Sequence, residues 1–455
     1  MIKTLKRTHL AASMAMCLGL ASTGLQAAVS PEEAAKLGKD LTPVGAIKAG
    51  NADGTIPAWT GKLVTTQDAD GFLIDPYAAD KPLYTITAAN MDQYADKLSD
   101  GVKAMLKRYP DTYKLPVYES RRPVSYPQKI YDAAKVNATT AKLKEGGNGL
   151  VDFAESVPFP MPQNGLEAAW NHLTRFKGGG FEAFTMQMVV QNTGDYMAVR
   201  LHDYQVFPHY LEEGFDAEQD NNVLFYFMRR ALSPARLTGN VLLVHETIDQ
   251  VEEARRAWAY NAGQRRVRRA PTVAYDGPGF AAEGTRTSDN VDMYNGSPDR
   301  YNWKLVGKKE MIVPYNAYRL ASKEIKYDDL IQKGHINQDS ARYELHRVWV
   351  VEATLKDDAR HVYAKRTMYI DEDSWQAVLV DHYDGRGQLW RVAEGHHVFL
   401  DQPQTTGMTA EVLYDLQSGR YIAMGLVNEE TKPTNFEFSP KRRTFTPAAL
   451  RRAGK

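Results

Sequence analysis

The stretch "YIDEDSWQAVLVDHYDGRGQLWRV" (Tyr369–Val392) decides how the chain is interpreted, because five acidic residues stand among its aromatic ones: Asp371, Glu372, Asp373, Asp381 and Asp384. These acids could form a metal or acid/base cluster, or they could mark turns in a sheet. The segments 371–373 and 384–387 each separate two β-rich runs, and Asp and Gly at such places favour tight turns. Successive hairpin turns lie at opposite ends of their strands, roughly 20–25 Å apart here. We therefore interpret the acids as hairpin tips and not as one site.

The runs beside these turns have the composition of neighbouring strands. Short polar turns separate four such segments, which predict an antiparallel meander: 346–355, 361–370, 374–383 and 388–400. Further strands are predicted at 181–190, 196–207, 222–232, 240–247, 409–416 and 420–427, with a hairpin over 255–271. Helical patterns concentrate before residue 175, apart from a short C-terminal helix. This order predicts an α+β fold, a large curved antiparallel β-sheet covered by helices.

The N-terminus has the pattern of an export signal. Lys3, Lys6 and Arg7 precede an apolar run that is too short to cross a membrane and that ends in small residues near Ala27. We expect residues 1–27 to be a cleaved signal peptide that directs the chain to the periplasm. Cys17, the one cysteine, lies inside it, so the mature chain has no disulfide and no sulfur-bound zinc.

We divide the remaining chain into a helical and loop-rich arm (28–150) that packs on the sheet, and a sheet domain with a C-terminal helix (151–455). The 455 residues carry a formal net charge of zero, which favours no nucleic-acid partner. No later apolar stretch is long enough to span a membrane.

The motifs of common enzyme classes are missing from the sequence. There is no nucleophile elbow, Walker loop, dinucleotide-binding fingerprint or HExxH motif. We therefore predict no catalytic residue, no metal and no cofactor. His396 and His397 are adjacent, and on a regular strand they would face opposite sides and could not chelate one ion together.

Two surfaces are candidates for binding. Methionine suits adaptable binding surfaces, and the apolar strand faces predict a cavity for an apolar ligand, lined by Phe184, Met186, Met188, Met197, Phe225 and Phe227. An ordinary core beneath helices is the alternative. The run "QRRVRRAP" (264–271) predicts a surface for a partner protein or anionic lipid, formed by Arg265, Arg266, Arg268 and Arg269. A solvated strand is the alternative there.

Several long segments resemble one known family. They are "GNADGTIPAWTG" (50–61), "RRAWAYNAGQRRVRRAP" (255–271), "DNVDMYNGSPDRYNWKLVGKKE" (289–310), "GHINQDSARYELHRVWVVEATLK" (334–356) and the opening stretch. The chain resembles domain of unknown function 1329, whose members are described as similar to outer-membrane lipoprotein-sorting proteins. The resemblance implies the fold of the periplasmic LolA/LolB-type carriers, an unclosed half-barrel with an apolar lining. It also implies association with outer-membrane barrel proteins and with exporters of the resistance-nodulation-division (RND) superfamily.

Three functional hypotheses follow from these observations. The first is a periplasmic, non-enzymatic carrier or adaptor that binds a hydrophobic, lipid-like cargo between sheet and helices and serves outer-membrane transport or sorting. The second is a docking protein, either an envelope stress sensor or an accessory subunit of an exporter or barrel complex. The third is a hydrolase whose catalytic residues are dispersed along the sequence.

Overall fold

The computed structural model of the protein describes residues 29–270, 273 and 275–454. The predicted signal peptide (1–27) lies outside the described residues. The helices are α1 (Pro31–Ala34), α2 (Asp100–Arg108), α3 (Gln128–Thr140), α4 (Gly165–Thr174), α5 (Ala217–Asp220), α6 (Tyr327–Leu330) and α7 (Pro447–Ala453). Helices α1 and α4 are capped at their N-termini, where the side chains of Ser30 and Asn164 accept hydrogen bonds from the first turn.

Most of the fold is strand. In chain order the strands are β1 (Tyr84–Ile86), β2 (Leu115–Tyr118), β3 (Lys142–Leu143), β4 (Leu150–Val151), β5 (Gly180–Val190), β6 (Tyr196–Val206), β7 (Val223–Ala231), β8 (Val241–Thr247), β9 (Arg256–Asn261), β10 (Arg266–Arg269), β11 (Tyr301–Pro314), β12 (Tyr343–Leu355), β13 (Lys365–Asp371), β14 (Ala377–Tyr383), β15 (Leu389–Leu400), β16 (Thr405–Asp415) and β17 (Tyr421–Leu426).

All strands except β3 and β4 belong to one sheet of fifteen. Its order is β1-β2-β12-β13-β14-β15-β16-β17-β5-β6-β7-β8-β9-β10, with β11 paired to β12. The pairs are antiparallel except β2 with β12, and the sheet is not closed into a barrel. The predicted meander is confirmed as β12 to β15. The predicted α+β fold with a large, curved, unclosed sheet is likewise confirmed.

Strands from both sides of residue 150 take part in this sheet. Strands β1 and β2 of the N-terminal arm extend its edge beside β12. Sequence reasoning missed β11, a strand of 14 residues that pairs with β12 along its whole length. Gly307, with φ +127°, and the register shift beside it interrupt the alternation that identifies a strand.

Helices pack on three separate parts of the sheet. Helix α2 packs on β14 and β15, helix α4 on β11 and β12, and helix α7 on β8, β9 and β10. In the described part of the chain, none of the helices combines the length and the hydropathy that a membrane crossing requires.

The opening stretch forms two consecutive hairpins, as predicted. At the second turn Asp384 is partly exposed, and its Oδ1 accepts the backbone N–H groups of Arg386 and Gln388, each at 2.9 Å. The interpretation of the acids as hairpin tips was wrong for one of the five, however. Asp381 lies inside β14 and is fully buried. The acids of the first turn (371–373) are buried as well, because the N-terminal arm covers that turn.

Candidate functional site

A cavity of about 350 Å³ lies against one face of the sheet. Its floor is formed by β5 to β8 and by β15 to β17. Its other walls include irregular segments from three distant parts of the sequence, namely 67–73, 275–295 and 427–436. The cavity is therefore built by long-range contacts, with strands on one side and loops on the other.

The strand side of the cavity follows from the alternation of side chains. On a strand every second residue faces the same side, and in this sheet the inward series includes Phe181, Ala183, Thr185, Phe225, Phe227, Leu242 and Val244. Phe227 is directly opposite Val244 in the β7–β8 ladder. Phe280, Val291 and Phe436 add apolar surface from the loops. The walls are thus predominantly hydrophobic.

Four of the six apolar residues singled out in the sequence lie elsewhere. Phe225 and Phe227 border the cavity. Phe184, Met186 and Met188 lie on the opposite face of β5, since Phe181, Ala183 and Thr185 face inward.

Met197 lies an even number of residues from the cavity residue Asp203 along β6, so the two side chains are expected on the same face of the strand. It packs instead against the cluster of Val199, Leu201 and Ala231. A role of the predicted residues in ligand binding stays a prediction.

Charged side chains occupy one part of the cavity wall, and most are paired. Arg229 donates two hydrogen bonds to the carboxylate of Asp203, at 2.8 and 2.7 Å. Lys177 Nζ lies 2.7 Å from Asp292 Oδ2, and Arg175 contacts the same carboxylate. Burial alone would raise the pKa of Asp292, but the charges of Arg175 and Lys177 hold it well below its usual range.

Helix α4 positions this charged group. The side chain of His172 accepts the backbone N–H of Ala377 at Nδ1 (3.1 Å), and its Nε2 lies 2.9 Å from the carbonyl oxygen of Asp292. Burial lowers the pKa of His172 to about 3, so the ring is neutral and serves as a fixed bridge. The end of α4 is thereby fixed to β14, and Arg175 and Lys177 follow directly after it.

Two buried charged residues border the cavity without an ion pair. Glu411 accepts the backbone N–H groups of Asp292 and Met293, each at 3.0 Å, and burial raises its pKa to about 7. Arg286 is 2% exposed, and its Nη1 donates to the carbonyl oxygen of Thr287 at 3.2 Å. Burial lowers the pKa of Arg286 to about 10.

A second candidate site lies at the buried turn between β13 and β14. His346, Asp371 and Asp373 bring potential metal-ligand atoms within 4.8 Å of one another. Both oxygens of Asp373, however, accept hydrogen bonds from Arg122, at 2.8 and 2.7 Å. A cation would have to displace this guanidinium, so the arrangement resembles a buried ion-pair anchor more than a metal centre.

The comparison with known proteins identifies the family. Residues 85–451 match the family described as "Protein of unknown function (DUF1329)". The uncharacterized protein PA3922 of Pseudomonas aeruginosa is 58% identical over 442 residues, which cover 96% of this chain and 97% of the relative. The chain belongs to the DUF1329 family. The family resemblance seen in the sequence motifs is confirmed.

Three solved structures are among those similar to this DUF1329 chain. A putative outer membrane lipoprotein-sorting protein domain from Vibrio parahaemolyticus is 15% identical, covers 63% of this chain and 98% of its own, and gives a TM-score of 0.43. A DUF1329 family protein from Desulfovibrio piger is 14% identical (60% and 91% covered, TM-score 0.42). The LolA superfamily protein NE2245 from Nitrosomonas europaea is 11% identical (62% and 97% covered, TM-score 0.37).

The arginine run of the DUF1329 chain lies at an edge of the sheet, on the turn before β10 and on β10 itself. Its four side chains, Arg265, Arg266, Arg268 and Arg269, are exposed. Arg265 has φ +52° in the turn, and the guanidinium of Arg269 lies over the ring of Trp258 at 5.8 Å.

The two adjacent histidines lie on β15, where the β15–β16 register shifts between them because β16 contains one extra residue. His397 stacks on Tyr315, which also stacks on His346, and His396 meets the edge of Tyr343. The two rings thus have different neighbours, and the expectation that they face opposite sides of the strand stays a prediction.

Sequence reasoning missed the most unusual residue of the cavity wall. Arg286 lies in the loop sequence "GTRTSDN" (284–290), where no periodic pattern of apolar residues indicates burial. The one sequence feature that could have drawn attention to Arg286 is its position just before the family motif at 289–310.

Proposed function

We propose that this DUF1329 protein is a non-enzymatic carrier or adaptor that binds a lipid-like molecule in the cavity and serves outer-membrane transport or sorting. The observation that carries the proposal is a cavity of about 350 Å³ with mainly apolar walls and a few charged groups on one side. Ligand pockets in proteins have volumes of about 300–1,000 Å³ and the same kind of lining. The export-signal pattern of residues 1–27 supports the periplasm as its compartment.

The walls are suited to an aliphatic chain. Burying one methylene group contributes about 0.8 kcal/mol, so a chain of about 12–16 carbons would contribute roughly 10–13 kcal/mol. Association costs about 4 kcal/mol or more. The difference corresponds to an affinity on the order of micromolar.

A titration with an environment-sensitive fluorescent fatty-acid analogue tests this proposal. We expect saturable binding at one site and competition by aliphatic molecules that carry no fluorophore. Fluorescence that rises without saturation, or a probe that aliphatic competitors do not displace, would count against a carrier.

Hydrolysis is the least supported of the three hypotheses. Two of the three acidic residues that border the cavity, Asp203 and Asp292, already pair with basic side chains. A general acid or base needs a free lone pair or proton directed at the substrate. Turnover in a screen of esters and glycosides, lost in single Asp or His variants, would restore this hypothesis.

One observation favours docking as a second candidate function. The exposed arginines of the sheet edge, Arg265, Arg266, Arg268 and Arg269, present positive charge beside a strand that is paired on one side only. Charged residues at a sheet edge also prevent aggregation, so the feature has a purely structural explanation. If docking is the function, reversal of the four charges abolishes the capture of an envelope partner such as an outer-membrane barrel protein or an RND-type exporter.

A further inference from the structure

The wall of the cavity contains a buried cation without a counterion. Arg286 is 2% exposed, and none of the described carboxylates lies within ion-pair distance of its guanidinium. Its Nε has no hydrogen-bond partner, and the carbonyl oxygen of Thr287 accepts from its Nη1. A buried charge without a partner is costly, and proteins rarely retain one that has no function.

The acidic residues nearest to Arg286 form hydrogen bonds or ion pairs with other groups. Asp203 accepts both hydrogen bonds of Arg229, and Glu411 accepts two backbone N–H groups. Asp289 pairs with Arg366 and lies 3.1 Å from His361 Nε2. The charge of Arg286 is thus not neutralised by a direct contact with any of the three.

The position of Arg286 is built into its loop. The backbone N–H of Gly279 donates to the carbonyl oxygen of Arg286 at 3.1 Å, and Pro278 bridges to Thr287 across the same turn. A Cβ atom at Gly279 would lie 2.7–2.8 Å from Cγ, Cζ and Nη1 of Arg286. Glycine at position 279 therefore leaves the space that the guanidinium occupies.

The charges around the cavity also favour a ligand with a negative charge. Of the described residues that border it, six are basic and three are acidic. Apolar walls next to a surplus of positive charge suit an amphiphile with an anionic end. Arginine presents its N–H groups in a planar fork that matches carboxylate and phosphate oxygens.

We propose that Arg286 binds the anionic head group, carboxylate or phosphate, of an amphiphile whose aliphatic chain occupies the apolar part of the cavity. The inference rests on the proposed carrier function and specifies the class of cargo. The anion supplies the counterion that Arg286 lacks, and the chain lies against Phe225, Phe227 and Val244. A neutral lipid would leave the guanidinium unpaired.

Calorimetric titration with three ligands of equal chain length tests the proposal: dodecanoate, dodecyl phosphate and dodecan-1-ol, each below its micelle concentration. In the wild-type protein we expect at least one of the two anions to bind about tenfold or more tightly than the alcohol, since hydrogen bonds between charged groups are stronger than neutral ones. The anion that is preferred distinguishes a fatty-acid type of cargo from a phospholipid type.

Three variants test whether the preference for anions arises at Arg286. Arg286→Met should remove the preference for anions and leave binding of dodecan-1-ol intact, while Arg286→Lys should retain part of it. Arg451→Met, a change at an exposed arginine of α7, is the matched control and should keep the wild-type preference.

Two results would overturn the inference: equal affinity of the wild-type protein for all three ligands, or a preference that persists in Arg286→Met. The comparison of ligands on the wild-type protein needs no variant, so it stands if Arg286→Met does not fold. Binding of dodecan-1-ol reports on the carrier function by itself. If the alcohol and both anions fail to bind, the carrier proposal is wrong; if all bind equally, only the role of Arg286 is wrong.

Discussion

At the scale of single residues, the acids of the first turn fix the N-terminal arm to the sheet. Arg122 forms two hydrogen bonds with Asp373, and Arg347 Nε donates to Glu372 at 2.6 Å. Both arginines also donate to the carbonyl oxygen of Ile47 in the arm. Arg122 and Asp373 are 251 residues apart in sequence, and Arg347 and Ile47 are 300 apart.

Removal of Arg122 should therefore destabilise the protein strongly. Arg122→Ala leaves Asp373 charged, buried and unpaired, for which we expect a loss of about 3–5 kcal/mol in the free energy of unfolding. The neighbouring Arg121 pairs with Asp80 in a half-exposed position, so Arg121→Ala should cost about 1 kcal/mol or less. Urea unfolding of the two variants measures the difference, and equal losses would contradict the anchoring role of Arg122.

Asp381 should make stability depend on pH. Burial raises its pKa to about 7, while Ser99 Oγ and the hydroxyl group of Tyr369 contact its oxygens at 3.2 and 3.3 Å. The folded state binds this proton more tightly than the unfolded state does. The stabilisation is therefore complete below the unfolded pKa of about 4 and is lost as the pH rises through about 7.

Asp381→Asn, a neutral isostere, should remove this dependence. Relative to the wild type, we expect the variant to gain stability steadily between about pH 4 and pH 8, by a few kcal/mol in total. Urea unfolding at a series of pH values gives this difference. A constant difference across the range would show that Asp381 is not protonated in the folded protein.

Residue-scale reasoning from the sequence succeeded where the interaction is local. The turn role of Asp384 depends on backbone groups two and four residues away, so the sequence pattern contained it. The burial of Asp371, Glu372 and Asp373 depends on the distant arm, and the pattern around them is the same as that of an exposed turn. Arg286 escaped notice for a similar reason, because its burial comes from loops that only the folded chain brings together.

At the scale of elements, strand alternation predicted two faces for β5 but not which of them borders the cavity. The even-numbered face, with Phe184, Met186 and Met188, is the more hydrophobic in sequence. The odd-numbered face, with Ala183 and Thr185, is the one that meets the cavity. The loops at 275–295 and 427–436 determine which face borders the cavity, and no strand pattern encodes the positions of these loops.

Substitutions on the two faces of β5 should therefore differ in their effect on binding. Thr185→Trp places a large ring inside the cavity, and we expect at least a tenfold loss in affinity for the fluorescent fatty-acid analogue. Phe184→Trp alters the neighbouring residue on the opposite face and should leave the affinity within about twofold. Comparable losses in both variants, or a loss only in Phe184→Trp, would place the ligand on the other face.

At the scale of the whole molecule, one pairing joins the two halves of the sheet. Strand β17 pairs with β5, so that the C-terminal meander continues directly into the hairpins that follow residue 180. The cavity spans this junction, since β15 to β17 and β5 to β8 both contribute to it. The meander and the family were accessible from the sequence because both are local patterns. The junction and the cavity depend on a pairing across more than 230 residues, which no local pattern shows.

Native mass spectrometry of the protein purified from the cell envelope, followed by solvent extraction, tests directly whether the cavity carries a lipid-like molecule. We expect a fraction of the wild-type protein to have the added mass of one bound amphiphile, which extraction releases, and we expect no such addition in Thr185→Trp purified in parallel. Wild-type protein that carries no added mass, or an equal addition in Thr185→Trp, would contradict this expectation.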